Sequence, residues 1–341
     1  MPIEVVERWL HLTTQKNQQV MHNVARLWEI GQKAKSQQDI LDGLHPWGDC
    51  KDLYFHNFIA QICFIVGVFI VIFGWVIHAY IAFALTFCIG VLCLFIAYLI
   101  YEPSQPVDEV IEFLEHRMIE LKYNFKTNQI PEYLPQYSHS VLVISKLKQA
   151  FPLFSKGNAS NEITQYISTI WQIENKKLPV LLFHYRYMSE LSISPLNNEP
   201  NKMKSTYKNQ WGAFIFGTEP LGIATNNRHS SFFEPYTKKW STSDIFLNEN
   251  VHIFGYDQQQ LARIISPMLT LKLSDFFQNY SGEVIFHFEE RMLCYMGDQN
   301  LLARRQQKQK IRDTSQLRGH LRTLRMPEYE LFKQQMTSLI S

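Results

Sequence analysis

Between Leu53 and Tyr101 the sequence contains no Asp, Glu, Lys or Arg. A surface helix or loop of a water-soluble protein does not run that far without charge, which excludes a wholly soluble enzyme. Cysteine is scarce as well: there are five in 341 residues, and three of them (Cys63, Cys88 and Cys93) lie inside the uncharged stretch. That count and spacing exclude a disulfide framework and a metal knuckle. The charge balance is nearly even, 33 Lys and Arg against 31 Asp and Glu, so bulk charge offers nothing to a polyanion and nucleic acid is not an expected partner. The chain also lacks a glycine-rich phosphate loop, a Gly-x-Ser-x-Gly elbow, a His-Glu-x-x-His run and a Cys-x-x-Cys pair, and no cofactor is expected.

What the sequence has in surplus is apolar residues. They make up 46% of the chain, and charged residues only 19%. Residues 54–101 are too long for one span, because a single helix of that length would run roughly 70 Å against a hydrocarbon core of about 30 Å. Two spans fit, near Asn57–Val76 and Tyr80–Ile100, with the turn in Gly74–Tyr80, where glycine, Trp75, His78 and Tyr80 cluster. Pro103 and Pro106 stop the second helix. Lys33, Lys35 and Lys51 precede the pair, Arg117 and Lys122 follow it, and the turn has no cation, so the positive-inside rule puts both termini in the cytoplasm. The lipid bilayer is the first expected partner. No intramembrane carboxylate or cation marks a transport path. The small residues Cys63 and Gly67 are read as the contact between the two helices of one hairpin.

The flanking regions divide as follows. Residues 1–52 form an amphipathic helical region with Val6, Trp9, Leu10, Val20, Val24, Leu27 and Trp28 at helical spacing and a polar break near Thr13–Gln19. Residues 53–101 are the hairpin. Residues 102–176 read as a helical linker, with helices over 107–125, 138–150 and 161–175. Asp108, Glu109, Glu112 and Glu115 begin the first of these, where acids complement the helix dipole, a commoner arrangement than a metal site.

Residues 177–299 change texture. Strands are expected at Val180–Tyr187, Trp211–Phe216, Ile245–Leu247 and Val251–Phe254, then a long helix from Asp257 to Tyr280 bent at Pro267. A hairpin of Glu283–Phe288 with Met292–Met296 follows. The expected fold class is α+β: a transmembrane helical hairpin plus a cytoplasmic domain with a mainly antiparallel sheet packed on a long helix.

The run Asp257-Gln258, Ala262-Arg263, Ile265-Ser266-Pro267, Leu269 and Leu273, followed by the hairpin through Val284 and Met292-Leu293-Cys294-Tyr295, resembles a bacterial domain-of-unknown-function family of membrane proteins. The strand Trp211–Phe216 is similar to an upstream glycine-aromatic strand of that family. The resemblance covers about residues 177–298. It implies a two-helix hairpin ahead of an α+β domain and a bacterial inner-membrane location, and it supplies no activity and no catalytic residue.

Residues 300–341 are a basic helical tail. Arg304, Arg305, Lys308, Lys310, Arg312, Arg318, Arg322 and Arg325 are set against Asp313, with Ile311, Leu317, Leu321 and Leu324 interleaved. On a tethered protein such a tail meets anionic lipid headgroups, is simply a solvated helix end or flexible tail, or meets nucleic acid or an acidic protein partner; it lacks the aromatic residues that stack single-stranded bases. The twelve histidines show no ligand pairing, although His184, His252 and His287 fall on separate strands. The loop Arg228-His229-Ser230-Ser231 offers an anion two donors and a cation, with nothing beside it to build a site. Whether the chain is an enzyme stays open, with the balance against. The expected function is a membrane-anchored, non-enzymatic interaction or scaffold module with an unidentified protein partner. The alternatives are a membrane-perturbing or pore-forming hairpin (a toxin or effector) and an enzyme with an unrecognised site in 177–299.

Overall fold

The computed structural model describes residues 2–48, 51–76, 83–129, 144–157, 160–173, 176–193, 202–227, 234–304 and 310–341. The chain divides into a helical unit, Met1–Lys122 with Gln306–Leu324, and a sheet unit, Tyr123–Arg305 with Arg325–Ser341.

In the helical unit, α1 (Pro2–Lys33) is continuous through the stretch expected as a polar break. Asn17 in that stretch and Asn23 beyond it are buried with Val20, Val24 and Leu27, because their side chains bond the backbone of residues 52–56. Polar residues on the inner face of a helix read as a break when their partners lie far along the chain. A short α2 (Gln37–Gly43) starts at Ser36 with a capping box to Asp39. The apolar stretch forms α3 (Phe58–Val76) and α4 (Phe83–Ile100), and α5 (Gln105–Tyr123) follows. Trp28 of α1 stacks on Phe113 of α5 at 4.3 Å. The late helix α10 (Thr314–Thr323) belongs to this unit and buries Leu317 and Leu321.

Among the described residues, one helix is long and apolar enough to cross a membrane. It lies in the stretch Ala84–Tyr123, where the apolar window has a mean hydropathy of 2.4 and is 11% buried. Phe58–Gly74 is a shorter apolar helix. Of the turn expected at Gly74–Tyr80, residues 74–76 are the last of α3, and 77–80 lie outside the described residues.

Among the described residues the sheet unit has nine strands, all paired antiparallel: β1 (Lys126–Thr127), β2 (Ser160–Ile173), β3 (Lys176–Ile193), β4 (Lys202–Phe216), β5 (Ile223–Asn226), β6 (Lys238–Trp240), β7 (His252–Gly255), β8 (Gly282–Phe286) and β9 (Met292–Gly297). Their order across the sheet is β1-β2-β3-β4-β9-β8-β5-β7-β6. The helix expected over 161–175 is instead strand β2, paired with β3 from Ser160 to Ile173. Ile163, Ile167, Ile170 and Trp171 mimic a helical spacing. The β-branched and aromatic content of the segment and the alternation of Ile167, Thr169, Trp171 and Ile173 match a pleated surface better. The sheet therefore begins ahead of residue 177.

A second correction runs the other way. Ile245–Leu247 was expected as a strand and forms the helix α7 (Ile245–Asn250), started by Asp244, whose carboxylate accepts from Leu247 N. The long helix after Asp257 is two helices, α8 (Gln258–Ile264) and α9 (Pro267–Asn279), parted where Ser266 caps the second and Pro267 opens it. The hairpin of β8 and β9 forms as expected. Of the stretch expected as a helix over 138–150, residues 144–150 form α6 (Ile144–Ala150), and 138–143 lie outside the described residues.

Both faces of the sheet are covered. On one, Phe276 and Tyr280 of α9 and Phe332 of α11 (Pro327–Ile340) pack on Tyr295, and Trp171 donates to Tyr329 Oη at 3.0 Å. On the other, α6 and the 3₁₀ turn Pro152–Ser155 bring Leu147, Phe151 and Phe154 onto Phe183, Tyr185, Phe214 and Cys294. Gly212 is required there, because a Cβ would collide with the Phe183 ring and the Tyr295 carbonyl.

Candidate functional site

The distinctive surface of this chain is the outside of α3 and α4. Phe64, Ile65, Phe69, Ile72 and Phe73 of α3 and Leu85, Leu92, Phe95 and Leu99 of α4 are exposed and give both helices an apolar exterior. The helices meet through their smallest residues. A Cβ on Gly90 would stand 2.6 Å from Val71, one on Gly67 2.9 Å from Leu94, and one on Gly74 2.7 Å from the Thr86 hydroxyl. That places Gly67 at the helix–helix contact, as the sequence suggests. An apolar groove lined by Ala60, Gln61, Phe64, Leu94, Ala97 and Tyr98 opens on one side of the pair.

The foot of the pair is held by polar bonds. Asn57 Nδ2 donates to Glu102 O at 2.7 Å, and Glu102 N donates to Asn57 Oδ1 at 3.1 Å. His56 N donates to Asn17 Oδ1 at 2.8 Å, and Asn23 Nδ2 to Asp52 O at 2.9 Å. The C-terminal tail reaches the same place: Leu53 N donates to Arg312 O at 2.8 Å and Thr314 N to Lys51 O at 3.0 Å, with Asp52 opposite Asp313. Burial, with the Lys16 charge nearby, holds the His56 imidazole below its ordinary pKa. Sequence reading missed this assembly, since its members are separated by up to about 300 residues.

The tail cations do not form one helical face. Lys310, Arg312, Arg322 and Arg325 are exposed, and Arg304 is half-buried. Arg318 Nε donates to Leu41 O at 3.0 Å. Arg304 and Arg325 belong to the sheet unit, the described residues between them to the helical unit. Arg305 and Lys308 lie outside the described residues, as do Arg228, His229, Ser230 and Ser231. The acids of α5 are individually engaged: Asp108 accepts from Ser104 Oγ, Glu109 from Gln105 Nε2, and Glu115 faces His320 Nε2 at 2.7 Å. No group of three or more His, Cys, Asp or Glu able to hold a metal ion exists among the described residues.

The strand histidines do not converge. His184 on β3 and His252 on β7 are five strand steps apart, roughly 24 Å at the usual strand spacing. His287 follows the far end of β8, and its Nδ1 accepts from Glu289 N and Glu290 N. Cys294 is fully buried and its thiol pKa is pushed up by desolvation, which makes it inert.

One buried polar cluster does exist in the sheet unit. Lys156 Nζ donates to Glu283 Oε2 at 2.7 Å and to Gln210 Oε1 at 3.3 Å, and Gln210 Nε2 donates to Asp298 Oδ1 at 2.8 Å. In register beside Glu283 stand Asn226 and then His252, both buried. The cluster also fixes the segment that carries Lys156. Asn161 Nδ2 and Tyr185 Oη both donate to the Lys156 carbonyl, and Gly157 takes a left-handed φ of 85°. Burial pushes the Tyr185 phenol up to about 12, so it remains a donor. Its chemistry is that of a latch between the 3₁₀ turn and the sheet. A lone acid inside the apolar strand Gly282–Phe286 is the sequence signal that marks it.

No family model, curated protein or solved structure matches the chain. The resemblance of residues 177–298 to bacterial membrane proteins of unassigned activity gains no support from these comparisons.

Proposed function

We propose that this protein is an anchor: α3 and α4 cross a bilayer as a two-span hairpin, both termini lie on the cytoplasmic side of a bacterial inner membrane, and the sheet unit serves as a non-enzymatic interaction or scaffold module. The observation that carries the reading is the apolar exterior of both helices combined with glycine-mediated contact between them. In hydrocarbon the outward Phe, Leu and Ile side chains are solvated by lipid and the small residues let backbones approach. Lengths agree as well, since 19 and 18 residues rise about 28 and 27 Å against a core of about 30 Å. Lys156 is engaged with Glu283 and Gln210 in holding the 3₁₀ turn to the sheet, which favours a structural role for this cluster over a catalytic one.

Alkaline carbonate extraction of membranes tests the anchor. The full chain is expected to stay in the pellet and to be released by detergent. Recovery in the carbonate supernatant would overturn the reading. Topology is tested by labelling a cysteine introduced at Ser341 with a membrane-impermeant maleimide, which is expected to react only after the membrane is opened. Affinity capture that recovers no partner, alongside turnover of a small substrate by the purified chain, would remove the non-enzymatic assignment.

A further inference from the structure

We infer that the foot of the hairpin is a binding site for the phosphate headgroups of anionic lipid, formed by Lys51, Lys310 and Arg312 with Lys16 beside them. This rests on the membrane reading above and narrows it to a place and a ligand. The bridge between residues 51–53 and 312–314 joins two cationic segments that the sequence keeps far apart. The pairing is antiparallel, so the tail running back from Asp313 to Lys310 travels with the chain from Asp52 toward Phe58, where α3 begins.

Lys16, Lys51, Lys310 and Arg312 are all exposed. The backbones of Lys16, Lys51 and Arg312 are held, Lys16 within α1 and the other two by the bridge. Arg312 accepts from Leu53 N and its own N donates to Gln316 Oε1 at 2.9 Å; Lys51 O accepts from Thr314 N. No hydrogen bond or ion pair engages the four cationic groups among the described residues. Lys16 adjoins Asn17, which binds His56 N, and its charge is felt by the His56 ring.

Among the described residues the acids at the foot are Asp52, Asp313 and Glu102. Asp313 is engaged as the N-cap of α10, accepting from Gln316 N at 2.7 Å. Four cations outnumber the three carboxylates, and exposed Tyr54, Phe58 and Tyr101 stand at the same level, as aromatic side chains do at headgroup depth. Continuity with the span selects lipid phosphate over a soluble anion, because the anchor holds the cations at the surface where the headgroups are concentrated. Of the other tail cations, Arg318 is committed to Leu41 O.

The test uses the full chain reconstituted in phosphatidylcholine vesicles with trace spin-labelled phosphatidylglycerol or phosphatidylcholine, and reads relative association by electron paramagnetic resonance. The wild type is expected to prefer phosphatidylglycerol, with each near-surface cation contributing up to about five-fold. Lys51→Gln with Arg312→Gln is expected to bring the two lipids to near parity, and high salt to do the same to the wild type. Arg186→Gln, in the sheet unit, is expected to leave the preference unchanged. Equal association of both lipids with the wild type, or a full preference in the double variant, overturns the proposal. So does displacement of the labelled lipid by inorganic phosphate at matched ionic strength, which would assign the site to a soluble anion. Carbonate resistance without lipid preference sinks this site and spares the anchor; loss of carbonate resistance sinks the anchor itself.

Discussion

The side chain of Asn57 binds the backbone of Glu102 on both sides, donating to its carbonyl at 2.7 Å and accepting from its amide at 3.1 Å. A single carboxamide thus imitates one rung of an antiparallel ladder and closes the two helices at their foot. Water-exposed bonds of this kind are weak; shielding from water, as the proposed membrane anchoring would provide, makes the same geometry contribute more.

Replacing Asn57 by Ala removes both bonds and leaves two backbone groups without those partners. We expect a loss of about 1–3 kcal/mol in the stability of the full chain in micelles. Hydrogen exchange at the Glu102 amide should quicken, because that donor is released. Asn57→Asp retains the acceptor alone, and should protect the Glu102 amide while still lowering stability.

Close contact between α3 and α4 makes a second prediction at Gly90. Its missing Cβ would stand 2.6 Å from Val71 and 3.2 Å from the Gly67 carbonyl. Gly90→Ile must therefore part the helices or distort them, at a cost of about 1–3 kcal/mol typical of overpacking. Leu92→Ala removes an outward side chain and should change thermal stability in detergent little by comparison. Equal effects from the two substitutions would mean that the helices do not meet through Gly90.

How much of this was legible in the sequence depends on the range of the interactions. The uncharged stretch, the β8–β9 hairpin and the cap at Asp257 are local patterns, and composition or spacing reveals them. Strand β2 was misread because Ile163, Ile167, Ile170 and Trp171 fall at helical spacing while Ile167, Thr169, Trp171 and Ile173 alternate as a strand does, and only the pairing with β3 decides between the two patterns. The short α7 was misread because three apolar residues outweighed one capping aspartate. The Lys156 cluster and the foot of the hairpin were invisible, since each joins residues more than a hundred positions apart.

His287 supplies a pH dependence with a definite sign. Burial holds its imidazole below the usual value, partly opposed by Glu289 and Glu290. Its Nδ1 accepts from two backbone amides, so a proton there breaks both bonds. The unfolded chain takes up that proton first as the medium acidifies. Stability from this group is therefore complete above about pH 6.5 and is lost as the pH falls through the lower folded value. His184 shifts the same way by desolvation and adds to the slope. Melting temperature measured from about pH 7.5 to pH 5 should fall, and His287→Gln should flatten the curve while lowering its upper end.

The Lys156–Glu283 pair can be separated from the fold it latches by a double-mutant cycle. Glu283 is 9% exposed and Lys156 26%, so the carboxylate is the more costly group to strand. Lys156→Met leaves the acid buried with no ammonium opposite and should destabilise the full chain by about 2–4 kcal/mol, less than a wholly buried pair because solvent still reaches the lysine. Glu283→Gln keeps an acceptor for Lys156 and should cost less. The double variant Lys156→Met with Glu283→Leu removes both charges and replaces them with apolar volume beside Cys294 and Ile285, and should recover part of the loss. Urea unfolding in micelles, followed by tryptophan fluorescence, gives all four corners. A coupling energy near zero would show that the pair is incidental and that Asn161 and Tyr185, which bind the Lys156 carbonyl, hold the turn unaided.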